Sequence, residues 1–188
     1  LVVLFPRNIK DPKEYLTELN ALHVNYITFL QYFPSNKNPQ YDTLSYEEFN
    51  SMMIKLLREY FSNRKDYNFE IDNINDLNDV INGNYNVYTD EAIFINPNGQ
   101  LGFIDYKEFG GNIVEYYKSF DKLADIAVFL NQERELYEKS CKDCIRFNRC
   151  YPEHLNKYAL GDKKDNCCGR LSLINEYERL VDKYGINN

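Results

Sequence analysis

The five cysteines of this chain are Cys141, Cys144, Cys150, Cys167 and Cys168, and the 140 residues before them contain none. Two residues separate Cys141 from Cys144, a spacing that lets both sulfurs turn towards one centre, as in many zinc and iron–sulfur sites. Cys150 follows in the same stretch, SCKDCIRFNRC. Cys167 returns from a distance, at the mouth of a final helical pattern where backbone N–H groups can face an anionic centre. Four thiolates complete a tetrahedral metal site or ligate one four-iron four-sulfur cluster. Five cysteines are one too many, so Cys167 and Cys168 compete for the last place. We assign it to Cys167, with Cys168 as the alternative.

Charge around these thiols suits a metal. Between Lys139 and Arg170 eight Lys or Arg residues face four Asp or Glu, giving +4 in a chain whose net charge is −7 and leaving −11 elsewhere. A four-thiolate zinc and an iron–sulfur cluster are both dianionic in their usual states, and neighbouring cations stabilise either one. A basic patch for an acidic peptide or a nucleic acid is the competing explanation. Aromatic residues do not alternate with the charges as base stacking requires.

The elements that must position this stretch follow from local pattern. Leu1–Phe5 reads as a short buried strand. Asp11, Pro12 and Glu14 open a helix over about 12–22. HVNYITFLQYF reads as a second strand, rich in β-branched and aromatic residues. Ser45 and Glu48 cap a helix reaching about Arg64, with Phe49, Met53, Leu56, Leu57 and Tyr60 on one face. YNFEID is a third strand. Strand, helix, strand, helix, strand is the rhythm of a parallel sheet, whose ligands sit beyond the strand ends. Arg7 and Asn8 stand at such an end and read as ordinary loop residues.

DLNDVINGNYN is polar and rich in turn formers, so it reads as a boundary. AIFI–NPNGQ–LGFI reads as a β-hairpin. Leu123, Ile126, Ala127 and Leu130 mark a helix over about 119–138. A last helix over about 170–184 shows Leu171, Ile174, Tyr177 and Val181 on one face, with Gly185 as its stop. The fold class is α/β, in two domains over 1–84 and 85–188. The chain opens on LVVLFPRN without an initiator Met, inside an apolar run, as a piece of a longer protein would. No apolar run is long enough to span a bilayer and no signal peptide is visible, which points to the cytoplasm. There a cysteine cluster is more often a metal site than a disulfide framework.

CKDCIRFNRC followed by CCGRLSLINEYERLV resembles the C-terminal SPASM domain of radical S-adenosylmethionine enzymes. In that family a Cys-x2-Cys-x5-Cys run and a later Cys hold an auxiliary cluster. The match falls on Cys141, Cys144, Cys150 and Cys167. INPNGQLGFID resembles the hairpin that opens the same domain, and residues 1–75 resemble the last strands of the family's partial (β/α)6 barrel. The resemblance spans the chain, but only the cysteine spacing is specific.

Departures from the family pattern bear on function. The Cys-x3-Cys-x2-Cys motif that holds the S-adenosylmethionine-cleaving cluster is absent. So are the three cysteines of a second auxiliary cluster: Tyr88 and Thr89 precede the hairpin, Ile104 stands five residues after Gly99, and His154 stands four after Cys150. His154 reads as an ordinary polar histidine rather than a ligand. The resemblance implies the C-terminal part of a peptide maturase with one auxiliary [4Fe-4S] cluster. It implies a peptide or small-protein substrate, with no nucleic acid and no membrane as partner. S-adenosylmethionine and its own cluster would belong to an N-terminal half in the same or another chain, so this chain alone is expected to be inactive. The alternative from another class is a non-catalytic binding module stabilised by zinc on four cysteines. A thiol-redox protein fits less well, because CKDC lies far from any thioredoxin-like strand-to-helix turn.

Overall fold

The computed structural model describes residues 2–4, 11–31, 46–84, 94–95, 97, 99–109, 112–150 and 170–185. Contacts divide the chain into two compact units, one made of residues 1–32, 42–85 and 170–188, the other of 33–41 and 86–169.

The first unit begins with β1, Val2–Leu4, and α1, Pro12–Asn20. Asp11 caps that helix by accepting the Lys13 N–H, and Pro12 opens it where no N–H is needed. The second strand forms in two parts, β2 at Tyr26–Ile27 and β3 at Phe29–Gln31. Helix α2, Tyr46–Ser62, and a 3-10 turn at Arg64–Asp66 lead to β4, Glu70–Ile71. β1 pairs with β3 and β2 pairs with β4, both in parallel. β2 and β3 are one extended segment interrupted at Thr28, so the ladders lie side by side in sequential order. Such an order is that of successive βα units.

The two faces of this small sheet differ. Ile27, Phe29 and Ile71 are buried, whereas Tyr26 is 65% exposed and Leu30 39%. Parallel sheets are ordinarily covered on both faces.

A helix not read from the sequence follows at once: α3, Asn73–Asn82. Its residues lie in the polar stretch taken as a boundary. Leu77 and Val80 recur at helical spacing and are buried, and Gly83 ends the helix in the left-handed conformation at φ 74°.

The last helix, α5, Leu171–Tyr184, packs on α2 and α3 within this unit, whereas the sequence grouped it with residues 85–188. Its buried stripe of Leu173, Ile174, Tyr177 and Leu180 accounts for the difference. The contact is fastened by Tyr177, whose hydroxyl donates to Asn78 Oδ1 at 2.6 Å, and by Arg58 Nε, 2.8 Å from Glu176 Oε1.

The second unit is built on an antiparallel sheet. β5, Phe94–Ile95, pairs with β6, Leu101–Phe109, and β6 pairs with β7, Asn112–Phe120. Gly99 takes φ 83° in the β5–β6 turn, where a side chain would be strained. β7 was not anticipated from sequence. Helix α4, Leu123–Cys141, follows β7, packs against it and buries Ile126. No helix among the described residues is long and apolar enough to cross a membrane.

Candidate metal centre

Cys141 is the last residue of α4, three residues beyond the helix end expected from sequence. From there the chain folds into tight turns. The Cys144 N–H donates to Cys141 O at 2.8 Å, and the Phe147 N–H to Cys144 O at 3.0 Å. Arg146 O then accepts from both Arg149 N–H, at 2.9 Å, and Cys150 N–H, at 3.0 Å. Asn148 takes φ 62°, a left-handed position that Asn tolerates better than most residues. These turns fix the path of the backbone through all three cysteines.

The thiols of Cys141, Cys144 and Cys150 are free of disulfides and partly exposed. Cys144 Sγ accepts the Arg146 N–H at 3.4 Å. Amide hydrogen bonds to sulfur are a recurrent tuning element of thiolate-bound metals. The cysteine spacing alone does not reveal this one, because the donor is main chain. Lys139, Lys142 and Arg149 are exposed along the same stretch. They offset the partial negative charge at the C-terminus of α4 and would offset that of metal-bound thiolates.

Among the described residues, no three His, Cys, Asp or Glu side chains come together as a group that could hold a metal ion. Cys167, Cys168 and His154 lie outside the described residues, as do Arg7, Asn8, Tyr88 and Thr89. The donor chemistry nevertheless fits: three accessible thiols, one already accepting an amide hydrogen bond, are soft ligands suited to zinc or to an iron–sulfur cluster.

A second polar constellation lies at the C-terminal ends of the parallel strands, where α/β proteins place their ligands. Thr28 Oγ1 donates to Asp72 Oδ2 at 3.2 Å, and Asn75 Nδ2 to Asp72 Oδ1 at 3.1 Å. Both bonds are exposed; the first ties the end of β4 to Thr28 and the second is local to the start of α3.

Comparison with family models, with curated proteins and with solved structures returns no match.

Proposed function

We propose that this chain is the C-terminal part of a radical S-adenosylmethionine peptide maturase, with Cys141, Cys144, Cys150 and Cys167 as ligands of one auxiliary [4Fe-4S] cluster. The observation that carries the reading is the turn after α4. It displays three partly exposed cysteines outside any disulfide, with the Arg146 amide donating to Cys144 Sγ. Two features of the fold add support. The parallel strands follow one another in sequential order, as in a βα barrel. Their Tyr26 and Leu30 face is open, as it would be where further barrel strands close over it.

Within this reading each group has a task. The cysteines supply the donors, and the Arg146 N–H withdraws charge from the Cys144 sulfur. Lys139, Lys142 and Arg149 compensate the anionic centre. The cluster itself would supply one-electron transfer when bound. Cleavage of S-adenosylmethionine is assigned to a part of the enzyme beyond these 188 residues.

The test is the iron, sulfide and zinc content of protein prepared and reconstituted without oxygen, with its absorption spectrum. The proposal expects about four irons and four sulfides per chain. One zinc with no stable iron uptake would overturn it in favour of a four-cysteine zinc module, which the all-thiol donor set also suits.

A further inference from the structure

The turn that carries the thiols presents a second feature that ligation does not use. Ile145 is 87% exposed. It stands between two held residues: Cys144 N–H donates to Cys141 O, and Arg146 N–H to Cys144 Sγ. In the same stretch of chain stand Lys139, Lys142 and Arg149, all exposed, and the half-buried Arg146. From Lys139 to Cys150 there are four Lys or Arg and a single acid, Asp143, giving +3 in a chain of −7.

We propose that this turn is a docking surface for an acidic polypeptide segment carrying a large aliphatic side chain. The cations complement its carboxylates and Ile145 meets the aliphatic group. Charge complementarity of this kind steers encounter and selects the partner. Nucleic acid fits less well. Base binding needs exposed aromatic platforms, whereas Phe147, the aromatic residue of this turn, is half-buried. A membrane surface calls for a wider apolar face than one isoleucine provides.

The surface shares its cations with the metal reading, and the experiment separates the two. Fluorescence anisotropy is measured on the full chain with a labelled peptide of alternating Glu and Leu. Lys–Leu and Glu–Ser peptides, a single-stranded oligonucleotide and phosphatidylserine vesicles serve as competitors. The Glu–Leu peptide should bind, weaken with added salt, and outcompete all four. K142E/R149E should weaken binding by about tenfold or more and I145S by about threefold, as expected for a small, screened interface. Circular dichroism of both variants should match the parent, and so should the iron content of I145S, whose side chain has no part in the metal reading. Absence of binding, unchanged affinity in K142E/R149E, or stronger competition by the oligonucleotide or the vesicles would overturn the proposal. Binding that depends on Lys142 and Arg149 in a chain that takes up no iron would keep this surface and remove the cluster.

Discussion

Asn73 holds the backbone of Phe29 by both of its polar groups: the Phe29 N–H donates to Asn73 Oδ1 at 2.8 Å, and Asn73 Nδ2 donates to Phe29 O at 3.1 Å. β4 ends at Ile71, two residues short of the place where it would serve Phe29 in the parallel ladder. The Asn73 amide takes over that role from the first turn of α3. A side chain with one donor and one acceptor in plane is what a peptide unit offers, and few residues other than Asn and Gln provide it.

Asn73→Ala should therefore cost about 1–3 kcal/mol, because Phe29 is fully buried and both of its main-chain groups lose their partner. Asn75→Ala, which removes only an exposed bond to Asp72, should stay within about 0.5 kcal/mol of the parent. Urea unfolding of the two variants checks the contrast. Equal stability of both would show that the Asn73 clamp does not hold the strand.

Tyr177 separates a ring from a hydroxyl. The side chain is fully buried in α5, lies tilted with its ring centre 5.9 Å from that of Phe61 and reaches Asn78 on α3. Burial pushes its hydroxyl up to about 12, so the phenol stays neutral in the folded chain. Tyr177→Phe should lose about 0.5–1.5 kcal/mol for the hydrogen bond. Tyr177→Ala should lose about 3–5 kcal/mol for the cavity. If the phenylalanine variant is as destabilised as the alanine one, the hydroxyl bond rather than the packing holds the last helix in place.

Much of this arrangement was legible in sequence because local chemistry fixed it. Asp11 and Pro12 gave the start of α1, and Gly185 the end of α5. What escaped was carried by partners far along the chain. Helix α3 was hidden in a stretch dense with Asn and Asp, although Leu77, Val80 and Gly83 carried its signal. The place of α5 depended on where its Tyr177 stripe found a face, and spacing alone does not specify that. In the candidate site the spacing of Cys141, Cys144 and Cys150 was legible, although the described residues bring no three such side chains together as a metal-holding group. The Arg146 main-chain donor and the exposed Ile145 were not legible, because spacing specifies neither.

Glu176 gives a pH signature. Hydrogen bonds from Arg179 and then Arg58 hold its carboxyl at about 2, below the ordinary value of 4.5. A carboxylate lowered on folding adds stability that is complete above the unfolded value and is lost as pH falls towards the folded one. Both arginines are more than half exposed, so screening trims the contribution to about 1 kcal/mol. Glu176→Gln should be less stable than the parent at pH 7. The gap should narrow between pH 4.5 and 2 and close at the lower end. A gap that stays constant over that window in urea titrations would assign the effect of Glu176 to packing rather than charge.

The cysteines make the sharpest division between readings. Replacing Cys141, Cys144 or Cys150 by Ala should each abolish metal loading, measured as iron or zinc per chain after anaerobic reconstitution. The thiols are partly exposed in the folded chain, so a thiol reagent should titrate them in unloaded protein and be blocked once metal is bound. Of the two adjacent cysteines, only Cys167→Ala should match the loss seen at the first three, and Cys168→Ala should load normally. Loss on Cys168→Ala alone would move the fourth ligand by one residue and keep the centre. Normal loading of both single variants, with failure only in the double one, would mean that either sulfur closes the site and that the assignment to Cys167 is wrong. Normal loading of the Cys144→Ala variant would remove the proposed centre from this turn altogether, because the proposal rests on Cys144 as the thiol that accepts the Arg146 amide.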